Sequence, residues 1–174
     1  MNFKKLLSSI TLATGAALAP VVAEASTFQD HIRLAQAVQA TGTQVKINPK
    51  DCAKEKSFGW YWAAGRELVV CQENGYGGGP EVAWTSEDLD TLRHEAHHLV
   101  QDCRDGRLDG SLLAVYKDPI AVGTEVLGYE YMNQIAEGYG EKGPHIVVME
   151  IEAFSVALLD DPQEQIADIQ RYCF

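Results

Sequence analysis

His94 and His98 stand four residues apart with Glu95 beside the first, so that His94-Glu95-Ala96-His97-His98 spells H-E-x-x-H. On a helix this spacing stacks the two imidazoles on one face, about one turn apart. Both can then reach a single tetrahedral Zn²⁺ while Glu95 stays free to handle a proton. Two ligand histidines and a carboxylate general base are the working parts of a zinc hydrolase. His97 points away from the His94–His98 line and is expected to be polar or interfacial rather than a ligand.

The element that must carry these residues can be read locally. Stepping about 100° per residue from Leu89 gathers Leu89, Leu92, Ala96, Leu99, Val100 and Cys103 into one apolar stripe, with His94 and His98 nearly opposite. Thr85, Ser86, Glu87 and Asp88 offer acceptors for the free N–H groups of a first turn, and the two acids suit the positive end of the helix dipole. The pattern predicts a helix from Ser86 to Cys103.

A catalytic zinc site also needs a third protein ligand and one open position. The metzincin pattern, with its third ligand six residues after the second histidine, is excluded because Arg104 stands there and Gln101 replaces the required glycine. Downstream, Glu150 and Glu152 interrupt the apolar run from Met149 to Ala157, and burying a carboxylate is costly unless it is paired or bound to metal. An oxyanion donor is expected between the motif and Glu150, where Tyr129, Tyr131, Tyr139 and His145 are the candidates. Asp102, one turn after His98, is placed either to receive a ligand histidine's second ring nitrogen or to be solvated.

His94, Glu95 and His98 followed by a later helical Glu resemble the gluzincin class of zinc metallopeptidases. The run Glu150-x-x-Ala153 resembles the E-x-x-A element of CAAX-processing and phage-repressor-cleaving peptidases. That resemblance implies a minimal zincin-like fold, one Zn²⁺ per chain, a protein or peptide substrate, Glu95 as general base and Glu150 as third ligand, with Ala153 allowing close helix packing. Glu152 stays open as the alternative third ligand. The chain departs from the pattern at Phe154, where those families often place a polar residue. By the order of zincin elements, the strand around Leu68 to Gln72 would accept an extended substrate.

Residues 1–25 read as a signal peptide: Lys4 and Lys5 precede the apolar stretch Leu6 to Leu18, and Ala23-Glu24-Ala25 is an A-x-A cleavage site. Residues 26–174 then form a single secreted or periplasmic domain with 12 basic against 24 acidic residues. Such a balance argues against nucleic acid or an anionic membrane as partner, and no later segment is long and apolar enough to span a bilayer. Four cysteines in an exported chain predict two disulfides; Cys52 with Cys71 and Cys103 with Cys173 is the suggested pairing among three possibilities.

Around the motif, a helix is expected from Thr27 to Ala40, and strands at Gln44–Ile47, Gly59–Ala63 and Glu67–Gln72, the last two joined by a turn at Ala64-Gly65-Arg66. The glycine-rich segment 74–80 follows, as a lid or a plain connection. One or two helices are expected over Pro119–Glu137, one from His145 to Leu159 and one over Gln163–Tyr172. The fold class is α+β, a small antiparallel sheet leading into a helical half. Two other functions share this pattern: an exported binding module using the aromatic hairpin Trp60-Tyr61-Trp62, and an amidase acting on cell-wall peptides.

Overall fold

The computed structural model describes residues 28–73, 75–159 and 161–174; the signal-peptide expectation lies outside them. The fold is α+β, and the described residues contain seven α-helices and one three-stranded sheet. Helix α1 (Phe28–Ala40) leads into β1 (Gln44–Ile47), the single-turn α2 (Cys52–Glu55), β2 (Gly59–Trp62) and β3 (Glu67–Val70). Then come α3 (Ser86–Cys103), α4 (Pro119–Val126), α5 (Gly128–Tyr139), α6 (Pro144–Leu159) and α7 (Pro162–Tyr172).

The sheet corrects one expectation. Its strand order is β1-β3-β2, with β2 antiparallel to β3 but β1 parallel to it, so the sheet is mixed. The chain passes through α2 and β2 before β3 returns between β1 and β2, and this long connection is what permits a parallel pair. As a result β3 is paired along both edges and has no ladder groups left for a substrate; β2 is the edge strand on the side of the motif helix.

Helix α3 begins as its sequence requires. Thr85 Oγ1 accepts the N–H of Asp88, and the Asp88 carboxylate accepts the N–H of Thr85 at 2.8 Å, closing a capping box. The helix then runs through the centre of the molecule, against α1, α6, α7, β2 and β3. Leu92, Ala96, Leu99, Val100 and Cys103 enter a core with Leu34, Val38, Leu68, Val70 and Ile169. The opposite face, which carries the histidines, is buried as well, beneath α6 and β2.

Both suggested disulfides are present. Cys52–Cys71 ties α2 to the end of β3, and Cys103–Cys173 ties the end of α3 to the residue after α7. Two disulfides suggest an extracellular or otherwise oxidising compartment. Among the described residues, no helix is long and apolar enough to cross a membrane. The glycine-rich segment is a connection: Gly78 donates to the Asn48 carbonyl, Asn48 and Gln72 grip each other and Pro80, and a Cβ on Gly77 would meet backbone of α2.

Candidate metal centre

Helix α3 brings His94, Glu95 and His98 into a buried group that could hold a metal ion, one ligand atom of each lying within 4.8 Å of the others. Across from them α6 presents Glu150. The Nε2 atoms of His94 and His98 are 3.1 Å apart, and Glu150 Oε2 lies 3.2 Å from the first and 3.5 Å from the second. These three atoms form a nearly equilateral triangle. The edge of a tetrahedron with ligand bonds of about 2.0–2.1 Å is about 3.3 Å, so the triangle has the size of one face of a zinc coordination shell. Glu150 Oε2 is buried, and it approaches both nitrogens without a well-aligned hydrogen bond to either.

The electrostatics agree with a cation-binding pocket. Burial would raise the Glu150 pKa, but the two imidazoles beside it hold it down to about 2. Burial works against charging His98, but Glu150 above all raises its pKa to about 9. Glu95 is pushed up, first by burial and then by Glu150, while the two histidines and a hydrogen bond from the backbone N–H of Tyr61 draw it back. A carboxyl poised in this way suits proton transfer.

Glu152, two residues from Glu150, points elsewhere. Fully buried, it accepts hydrogen bonds from Gln101 Nε2 at 2.8 Å and from the backbone N–H groups of Val115 and Tyr116 at 2.9 and 2.6 Å, and it faces His97 Nε2 at 3.2 Å. All its acceptor capacity is committed to holding the 112–116 loop and α3 together. His97 is its partner; burial lowers the His97 pKa and Glu152 counters the shift.

Sequence reasoning missed Gln101. Its Oε1 lies 2.8 Å from His98 Nδ1, while its Nε2 donates to the Met149 carbonyl and to Glu152. Gln101 Oε1 therefore accepts a hydrogen bond from Nδ1–H and leaves Nε2 as the His98 nitrogen that faces Glu150 and His94. The signal was its spacing, three residues after His98 on a helix. Asp102, expected to serve a ligand or to be solvated, does neither. It is fully buried and accepts from Tyr61 Oη at 2.7 Å and from the N–H groups of Asp109 and Gly110, pinning β2 and the next loop to α3.

The group opens onto a cleft walled by β2, Gly110, Leu112, Tyr139 and Lys142. Of the four oxyanion candidates only Tyr139 reaches this wall, and burial, then the charges of Glu150 and Glu95, push its pKa well above the phenolic range. Tyr129 is exposed, His145 bonds the Leu112 carbonyl at 2.7 Å, and Tyr131 packs edge-on to Phe154. In the aromatic hairpin, Trp60 packs on Cys52, Val69 and Cys71 and Tyr61 is held by Asp102, which leaves Trp62 as its exposed ring.

Residues 26–174 match the family described as Domain of unknown function (DUF8637). No curated protein and no solved structure matches the chain.

Proposed function

Because the chain belongs to the DUF8637 family, whose description assigns no activity, its function has to be argued from its site, and we propose that it is an exported zinc-dependent peptidase. The carrying observation is the triangle of His94 Nε2, His98 Nε2 and Glu150 Oε2, whose sides of 3.1, 3.2 and 3.5 Å suit three ligands of one tetrahedral zinc. Glu95 lies about 100° round the helix from His94 and about 60° from His98, and with Glu150 as the third ligand its nearby carboxylate is left to handle a proton. Bound there, zinc would supply a Lewis acid and lower the pKa of water toward neutrality.

The chain's own residues supply the rest. Glu95 accepts the proton of the attacking water and returns it to the leaving amine. Tyr139 offers a hydroxyl donor to the developing oxyanion. Gln101 keeps His98 in one tautomer and orientation. The outer edge of β2, where the Tyr61 N–H meets Glu95, offers main-chain groups to an extended peptide, the role first expected of Leu68 to Gln72. A peptide bond fits this set best, and cell-wall peptides fall within the same class.

Elemental analysis of purified mature protein tests the reading. About one zinc per chain is expected, lost in His94→Ala. Glu95→Gln should keep the metal and lose at least about a hundredfold in hydrolysis of a mixed peptide library. A folded His94→Ala protein with undiminished zinc would refute the site.

A further inference from the structure

A second cavity meets the cleft at the metal group and shares Gly59, His94, Glu95 and Tyr139 with it. Its character is different. Phe58 from the loop before β2, Tyr131 from α5, and Phe154, Ala157 and Leu158 from α6 form the apolar wall of a hollow of about 310 Å³, whose α3 side carries Glu87, Thr91 and Asp90, the last paired with Arg93. That is within the size range of small-ligand pockets. The Phe154 ring lies 4.3 Å from the His94 ring, and Tyr131 stands edge-on to Phe154 at 5.7 Å, so the floor of the hollow is continuous with the metal group. Phe58, Tyr131 and Leu158 remain 41, 40 and 58 % exposed around it, a hydrophobic rim on a strongly acidic chain.

Resting on the peptidase reading above, we propose that this hollow receives a bulky apolar side chain, aromatic or leucine-like, of the residue beside the bond to be cleaved. Phe154 is the specificity-determining residue. Its position is where this chain departs from the E-x-x-A pattern, and a polar residue there would give the same hollow a hydrophilic floor. Continuity with Glu95 places the occupant next to the reacting group, and the carboxylates of Glu87, Asp90 and Glu95 in the lining repel an acidic side chain.

The test is equilibrium binding of glycine, phenylalanine and aspartate hydroxamates to the zinc-loaded full mature chain, by calorimetry. The hydroxamate group gives each probe the same metal anchor, so differences report the side chain. Phenylalanine hydroxamate is expected to bind at least about tenfold tighter than glycine hydroxamate, and aspartate hydroxamate no tighter than glycine. In Phe154→Ala the preference should fall to within about threefold. Leu158→Glu, at an exposed position that tolerates a charge, should do the same if Phe154→Ala does not fold. Equal affinities of the three probes, or a phenylalanine preference that survives Leu158→Glu, would overturn this inference while leaving the metal site standing. No zinc-dependent binding of any hydroxamate would overturn the peptidase reading and this inference with it.

Discussion

Two carboxylates two residues apart on α6 do opposite work, because a helical step of about 200° sends them to opposite faces. Glu150 meets the histidine pair, whereas Glu152 is enclosed by donors from α3 and the 112–116 loop. Their amide variants should therefore fail differently. Glu150→Gln removes an anionic donor and should lower zinc affinity by more than a hundredfold under chelator competition. Glu152→Gln turns an all-acceptor group toward donors and should cost about 3–5 kcal/mol of folding free energy in chemical denaturation, with at most a 10- to 100-fold loss in zinc affinity. The reverse pattern would exchange the two assignments.

The same residues set a pH dependence for protein stripped of metal. Glu150 is lowered from 4.5 to about 2, so its stabilisation is present above pH 4.5 and is lost as pH falls toward 2. His98 is raised from 6.5 to about 9, so its contribution is full below pH 6.5 and is lost as pH rises through 9. Glu95, also raised, acts in the same sense as His98. Metal-free protein should be most resistant to denaturant between about pH 4.5 and 6.5, whereas zinc, which needs deprotonated His98, should bind more tightly from pH 6.5 to 9 with release of a proton. Parallel denaturation and zinc titrations across this range check both trends.

At the scale of elements, the centre depends on how closely β2 and α6 approach α3. A Cβ on Gly59 would lie 2.5 Å from the Val69 carbonyl oxygen, 2.7 Å from Thr91 Cγ2 and 3.3 Å from Glu95 Cγ, so this position admits only hydrogen. Gly59→Ala should push β2 off α3, cost about 1–3 kcal/mol, and reduce hydrolysis more than zinc content, since Glu95 moves while the histidines are held from the other side. Activity and metal content measured on the same preparation separate the two effects. Between α4 and α6 the same economy recurs at Gly123, whose Cβ would fall 2.4 Å from Ile151 Cγ2. The strands and helices were largely legible in the chain: β1 and α3 end where their patterns end, and two helices rather than one fill Pro119–Tyr139, with the break before Gly128, a residue at φ +73°.

For the whole molecule, the disulfides set how much of the scaffold survives without tertiary packing. Cys103–Cys173 closes a span of 70 residues that includes the loop bearing Gly110 and all of α4 to α7; Cys52–Cys71 closes one of 19. Removing the longer bridge with paired serines should cost roughly 4 kcal/mol and the shorter roughly 3 kcal/mol by loop-closure entropy. Thermal melts of the two double variants against the parent would show whether this order holds.

What the sequence determined alone was local: the register of His94, Glu95 and His98 on one helix, the capping box that starts it, and the amphipathic stripe that seats it in the core. Each depends on residues within a few positions of one another, where helix geometry leaves little choice. Tertiary structure decided everything that joins distant segments. It placed β1 parallel to β3 and left β2 as the edge, turned Glu150 rather than Glu152 toward the histidines, gave His98 to Gln101 and Asp102 to Tyr61, and set Phe154 as the floor of a hollow. The reason is that helical periodicity fixes which residues share a face, whereas the rotation of α6 against α3 settles which face meets which. The buried hydrogen bonds of Glu152, the close packing of Ala153 and the approach of Gly123 to the Ile151 side chain all bear on how α6 is seated, and none of them is local in the chain.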